Sequence, residues 1–77
     1  MPHVIVRMYA GRSEAEKATL AEEMTKAVRR VLNCGDEAIS VSIEDVEPKD
    51  WAEKVYRPDI LGNPKTIYKK PGYNPFK

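Results

Sequence analysis

The stretch MPHVIVRMYAGRS, residues 1–13, decides the first half of the fold. Between His3 and Tyr9 it is rich in β-branched and aromatic residues, and its apolar residues alternate in the way typical of a half-buried β-strand. Pro2 stands directly before this run, and the first residue of a strand is one of the few strand positions that tolerate proline. We therefore predict a strand over residues 3–9 with Pro2 at its start.

A helix is predicted to follow this strand after a short turn. Gly11 is free to adopt a positive φ in the turn, and Ser13 with Glu16 three residues later forms a capping box, which marks a helix start. Apolar residues then recur at the helical period as far as Leu32. We predict a helix over residues 13–33, with Gly35 as a left-handed cap at its end.

A second strand is indicated by AISVSIEDV, residues 38–46, in which apolar and polar side chains alternate. We predict this strand over residues 39–46. A strand, a helix and a strand joined by short connections form a right-handed βαβ unit with parallel strands. The predicted fold class is therefore α+β, with two parallel strands and one long helix in a single domain of residues 1–77.

The last part of the chain, residues 47–77, is predicted to be irregular with short elements. A short helix is expected near Pro48. Residues 58–65, PDILGNPK, are punctuated by proline and glycine and indicate a loop or a single turn. Residues 66–73, TIYKKPGY, are expected to form a short strand before the Pro71–Gly72 turn.

The small size of the chain favours self-association. Cys34 is the one cysteine and cannot form an intrachain disulfide, and one cysteine with one histidine cannot complete a zinc site. Neither of these routes can therefore supplement the thin core of a 77-residue domain. A two-stranded sheet covered by one helix also leaves its edges open, and a partner chain could extend it.

Charge and hydropathy exclude several classes of partner. A formal net charge of +1 argues against a nucleic-acid partner, which calls for a clear excess of lysine and arginine. No apolar stretch approaches the roughly 20 residues of a membrane span. The apolar run at the N-terminus is short and interrupted by Arg7, unlike a signal peptide. A cytoplasmic location is the expectation that follows.

Four features together resemble a known family. They are Pro2 before the first strand, GRS at residues 11–13, EDVEPKDW at residues 44–51 and KKPGY at residues 69–73. The chain resembles the 4-oxalocrotonate tautomerase family, and its C-terminal motif is closer to the longer, phenylpyruvate tautomerase-like members. The resemblance implies the βαβ tautomerase fold, with the sheet extended by a partner chain. It also implies that Met1 is removed, that Pro2 is the catalytic residue, and that no cofactor or metal is needed.

The resemblance assigns roles to four positions. Pro2 matches the general base of the family, and Arg12 of GRS matches an arginine that binds the substrate carboxylate. Trp51 falls where the family keeps an aromatic residue that lines the site from a neighbouring subunit. Ser40 stands where the best-known members have a second arginine, which polarises the substrate carbonyl. The serine therefore favours a 2-oxo monoacid with an aromatic or apolar tail, such as phenylpyruvate or its enol, over a diacid.

The proposed chemistry requires a base that is neutral at the working pH. A free alkyl amine is almost wholly protonated near neutral pH, but an apolar pocket and a nearby cation both lower the pKa of an amine. Val4, Val41 and Trp51 are the candidate apolar walls, and Arg12 is the candidate cation. Pro2 would then take the hydroxyl proton of an enol and deliver it to carbon.

Alternatives remain open at this point. One is a hydratase or dehalogenase that uses a protonated Pro2, and another is a non-catalytic dimerisation module that keeps Met1. For the assembly, the resemblance to the longer members of the family implies a dimer with a continuous four-stranded sheet, and a hexamer is the alternative. Strand alternation gives His3 an exposed or packing position. Further candidates to complete the pocket are Tyr56, Arg57, Lys69 and Tyr73.

Overall fold

The computed structural model describes residues 1–77 and contains two strands and one long α-helix. Strand β1 spans His3–Tyr9, helix α1 spans Glu14–Leu32, and strand β2 spans Ser40–Val46. The chain separates into two compact units, Met1–Asp45 and Val46–Lys77. The first unit holds α1, β1 and nearly all of β2, and the second holds the remaining short elements.

The two strands are parallel neighbours in one two-stranded sheet. Two side-chain contacts join them, His3 to Ser40 and Arg7 to Glu44, and both link residues 37 positions apart. A constant separation in sequence means that the strands run in the same direction with no change of register. The backbone N–H of Ser40 also donates to the carbonyl of Pro2 at 3.2 Å. The predicted βαβ unit is therefore confirmed, although β2 begins at Ser40 and not at Ile39.

Helix α1 begins as the capping box predicts and ends differently. The N–H of Glu16 donates to Ser13 Oγ at 3.1 Å, and the N–H of Ser13 donates to Glu16 Oε1 at 3.0 Å. At the other end, Asn33 takes the left-handed conformation, with φ of 55°. The prediction of Gly35 as the cap is wrong, since Gly35 has φ of −81°. Asparagine tolerates the left-handed region well enough to end the helix before the glycine is reached.

The first unit covers one face of its sheet and leaves the other open. Along β1 the side chains alternate between exposed and half-buried, and no residue of Met1–Asp45 is fully buried. The open face carries large apolar side chains, with Ile5 53% exposed and Tyr9 52% exposed. An apolar sheet face in water is unfavourable, so this unit by itself has the features of one half of a larger core.

The second unit is more helical than its sequence suggests. A 3₁₀ turn over Pro48–Asp50 leads into a π-helix over Ala52–Leu61. A hydrogen bond of 2.9 Å from the N–H of Gly62 to the carbonyl of Arg57 shows the wide turn of that helix. The predicted loop over residues 58–65 is therefore wrong as far as Leu61. The proline ring of Pro58 opposes a regular α-helix but is accommodated in the wider one.

The two most buried side chains of the protein lie on this π-helix. Val55 and Tyr56 are each 5% exposed. The ring of Tyr56 packs against the rings of Tyr73 and Phe76, with centroids 5.4 and 5.8 Å away. The predicted strand over residues 66–73 is absent, and a 3₁₀ turn forms over Pro64–Thr66. Burial of Tyr56 under the C-terminal residues takes the place of strand pairing.

Candidate active site

The N-terminal end of the sheet brings together two of the four expected site residues, Pro2 and Ser40. The backbone hydrogen bond from Ser40 to Pro2 holds Pro2 against the start of β2. Pro2 is half-buried, whereas Met1 is 101% exposed. The packing of this end of the sheet therefore does not depend on Met1.

The side chain of Ser40 contacts His3. Nδ1 of His3 lies 2.6 Å from Oγ of Ser40, on the open face of the sheet. Sequence alone assigns His3 only an exposed or packing position, and the structure confirms its exposure. This contact could have been predicted from the register of the parallel strands. If Arg7 pairs with Glu44, the same separation of 37 positions places His3 opposite Ser40.

Arg12 lies on the turn between β1 and α1. Gly11 opens this turn with φ of +121°, a conformation that glycine adopts without strain. The side chain of Arg12 is 65% exposed, and its Nη1 lies 3.5 Å from Glu16 Oε2. Arg12 opens onto a cleft of about 530 Å³. The other residues that line this cleft are Met8, Tyr9, Glu16 and Leu20.

The carboxylate of Glu16 links the helix cap to Arg12. Hydrogen bonds from Ser13, first from its backbone N–H and then from its hydroxyl, lower the pKa of Glu16, and the charge of Arg12 lowers it further. Glu16 therefore remains ionised at neutral pH. A guanidinium has five N–H donors in a planar fork, and the single contact with Glu16 leaves donors for the carboxylate of a ligand.

Pro2 and Arg12 are not brought together within one chain. They lie beyond opposite ends of β1, and a strand rises by about 3.3 Å per residue, so roughly 20 Å separates them. A small 2-oxo acid cannot contact both residues of the same chain. If both act on one substrate, the second residue has to come from another copy of the chain.

Trp51 lies at the start of the second unit and is held by a hydrogen bond. Its Nε1 donates to the hydroxyl of Tyr73 at 2.8 Å. The hydroxyl of Tyr56 in turn donates to the carbonyl of Tyr73 at 3.1 Å. The orientation of the indole is therefore fixed by the C-terminal segment, a connection that spans 22 residues and that no local sequence signal announces.

Arg57 is engaged by its own helix. Its Nε and Nη2 donate to the two carboxylate oxygens of Glu53 at 2.8 and 3.0 Å, and its guanidinium lies 4.4 Å from the ring centre of Phe76. The hydrogen bonds that Glu53 accepts from Arg57 lower the pKa of its carboxyl group. A paired guanidinium is a poor substitute for the missing arginine of β2.

A second cavity, of about 260 Å³, lies wholly within the second unit. Its lining is mostly apolar. The lining residues are Tyr56, Ile60, Leu61, Pro64, Ile67, Lys70 and Pro71. The structure holds no cluster of three or more histidine, cysteine or acidic side chains suited to a metal ion. None of its helices has the length and hydropathy to cross a membrane.

Comparison with known proteins gives a consistent result. The sequence model of the family described as "Tautomerase enzyme" matches residues 2–56. A protein of Xylella fastidiosa named as a probable tautomerase is 41% identical over 73 residues, covering 95% of this chain and 89% of that protein. Tautomerase PptA of Pectobacterium carotovorum is 33% identical over 75 residues, covering 96% of this chain and 99% of that protein.

Solved structures agree with the sequence matches. The crystal structure of TomN, a 4-oxalocrotonate tautomerase homologue in the tomaymycin biosynthetic pathway, has a TM-score of 0.63 at 36% identity. The match covers 65% of this chain and 77% of that chain. The likeness therefore extends from sequence to fold.

Proposed function

Because this chain belongs to the tautomerase enzyme family, we propose that it is a cofactor-free keto–enol tautomerase of 2-oxo acids resembling phenylpyruvate, with Pro2 as its base and acid. The resemblance to the 4-oxalocrotonate tautomerases is confirmed, and tautomerases are isomerases, so the chain is an isomerase. The names of these relatives favour an enzyme over the non-catalytic module considered above. The reaction moves one proton: the O–H bond of the enol breaks, Pro2 carries the proton, and a C–H bond forms as the C–O bond becomes a carbonyl.

The observation that carries this proposal is the position of Pro2. Its carbonyl is bonded to Ser40, so the residue is held at the sheet end, half-buried, while Met1 extends into solvent. Removal of Met1 would leave a secondary amine at a defined place. Burial in an apolar pocket lowers the pKa of an amine and favours the neutral form that a base requires.

The substrate class follows from the charges near the two ends of β1. Arg12 offers one carboxylate site, and Ser40 offers no second cation at the sheet end. We therefore expect a monoacid, with Trp51 of a neighbouring subunit as the surface for an aromatic tail. The half-buried state of Trp51 and its fixed orientation support this role.

The assembly is proposed to be a dimer that continues the sheet. The open face of β1 with Ile5 and Tyr9, and the distance between Pro2 and Arg12, both support a site made by more than one copy. A hexamer is the alternative, and sedimentation distinguishes the two. The single free thiol, Cys34, is consistent with a reducing compartment such as the cytoplasm, where we expect the enzyme to act.

The test of the substrate proposal compares two enols. Ketonisation of phenylenolpyruvate, followed by the loss of its enol absorbance, is expected to be faster at equal concentration than ketonisation of the enol of a 2-oxo diacid. A preference for the diacid would contradict the assignment of Ser40. If the amine of Pro2 titrates well above neutral pH in an NMR experiment, the hydratase or dehalogenase chemistry of a protonated proline would replace the tautomerase proposal.

A further inference from the structure

We propose that His3, oriented by Ser40, donates a hydrogen bond from Nε2 to the substrate oxygen that is a hydroxyl in the enol and a carbonyl in the keto acid. The inference rests on the proposed function, because it requires the reaction to take place at Pro2. In this proposal His3 and Ser40 together polarise the substrate carbonyl, a role that a second arginine has in the best-known members of the family.

The first support is position. His3 follows Pro2 directly in the chain, and Ser40 is bonded to both residues, by its N–H to the carbonyl of Pro2 and by its hydroxyl to the ring of His3. A substrate oxygen that gives its proton to the amine of Pro2 must lie within hydrogen-bond distance of that amine. The imidazole of His3 lies at the same end of the sheet as that amine, because both residues contact Ser40.

The second support is orientation. The 2.6 Å contact between Nδ1 and Ser40 Oγ fixes one nitrogen of the ring, while Nε2 has no hydrogen-bond partner in the protein. When the serine hydroxyl donates to Nδ1, the neutral ring carries its proton on Nε2, which then faces outward as a donor. His3 is exposed on the open face of the sheet, so a small molecule can reach Nε2.

The third support is the absence of a competing cation on that face. Arg7 is the other basic residue of β1, and it is held by Glu44 at 2.8 Å. Stabilisation of the developing enolate oxygen therefore falls to the N–H donor of His3 at this end of the sheet. Donors of this kind, already in place before the reaction, stabilise charge as it develops and need not transfer a proton. His3 keeps its proton throughout, and Pro2 carries the one that moves.

The kinetic test uses three variants and a matched control. His3→Ala is expected to lower kcat for phenylenolpyruvate by about 100- to 1,000-fold with little change in KM, as the loss of one such donor does. His3→Gln keeps an N–H donor and is expected to recover part of the rate. Ser40→Ala is expected to give a smaller loss than His3→Ala. Arg30→Gln, an exposed substitution in the last turn of α1, is the control and is expected to behave as wild type.

A second measurement needs no variant. His3 is the only histidine, so the imidazole nitrogens of labelled protein give one pair of NMR signals. Benzoylformate has the 2-oxo oxygen but cannot enolise, and phenylacetate lacks that oxygen. We expect benzoylformate to shift the Nε2 signal and phenylacetate to leave it in place. Equal effects of the two acids, or none, would overturn the assignment even if the His3→Ala protein does not fold.

The outcomes separate this inference from the proposed function. If protein that retains Met1 is inactive but His3→Ala turns over at the wild-type rate, Pro2 stands as the base and the inference fails. If protein that retains Met1 is still active, the role of Pro2 fails. The NMR comparison of the two acids then decides by itself whether His3 contacts the oxo group.

Discussion

Arg12 offers the sharpest prediction from a single substitution. Replacing it with glutamine removes a charged fork that, in this account, binds the substrate carboxylate. Hydrogen bonds to charged groups contribute about 1.5–3 kcal/mol, and because the side chain of Arg12 is 65% exposed we expect the lower end of that range. A loss of about 1.5–2 kcal/mol corresponds to a roughly 10- to 30-fold rise in KM for phenylenolpyruvate.

The fold should survive this substitution. In the folded chain Arg12 forms an exposed ion pair with Glu16 at 3.5 Å, and such pairs add little to stability. The control is Arg30→Gln, which removes an exposed arginine from the last turn of α1. The enol assay should show an unchanged KM for the control. An Arg12→Gln enzyme with wild-type KM would refute the assignment of Arg12 to the substrate carboxylate.

The same variant tests whether the site is shared between subunits. Protein that retains Met1 and protein with Arg12→Gln should each be weakly active. If one site combines Pro2 of one chain with Arg12 of another, mixing the two after unfolding and refolding restores intact sites, about one quarter of the total in a random two-fold dimer. If the mixture is no more active than the average of its parts, Pro2 and Arg12 do not act together across the subunit boundary.

Three further predictions concern stability, each measured by urea unfolding. Hydrogen bonds from Ser13 lower the pKa of Glu16 in the folded state, so the ionised carboxylate stabilises the fold above its ordinary pKa of 4.5, and this stabilisation is lost as the pH falls through the folded-state pKa. The difference in unfolding free energy between wild type and Glu16→Gln should therefore close at low pH. A difference that does not change with pH would contradict the cap. Asn33→Ala should cost about 1 kcal/mol because alanine resists positive φ, whereas Asn33→Gly should cost nothing, and equal losses would count against the left-handed cap. Val55→Ala should cost about 2 kcal/mol because the side chain is 5% exposed, and a loss no greater than that of Lys54→Ala on the exposed side would show that the π-helix is not packed as described.

The first half of the fold was predictable because its signals are local. Alternation fixes the strands, and Ser13 with Glu16 fixes the helix start within four residues. The helix end was less predictable because both Asn33 and Gly35 can take a left-handed conformation, and only the structure shows which one does.

The second half was not predictable from local patterns. Pro58 and Gly62 indicate a break, but the burial of Tyr56 against Tyr73 and Phe76 stabilises a wide helix instead. These contacts join residues far apart in sequence, and intrinsic propensities carry no information about them.

The candidate site divides in the same way. The positions of Pro2 and Arg12 in known motifs predict them as site residues. The hydrogen bond between His3 and Ser40 depends instead on the register of two strands, and it joins residues 37 positions apart in sequence. The alternation within each strand predicts that these polar side chains face solvent, but it does not predict that they contact each other. The parallel pairing of β1 with β2 supplies that step.

The most direct test of the central claim is the activity of one protein sample before and after removal of Met1. Protein that retains Met1, verified by intact mass, is assayed with phenylenolpyruvate, treated with methionine aminopeptidase and assayed again. We predict at least a roughly 100-fold gain in rate once the amine of Pro2 is free, in keeping with the usual contribution of a general base. Equal rates before and after removal of Met1 would contradict the claim that Pro2 is the base.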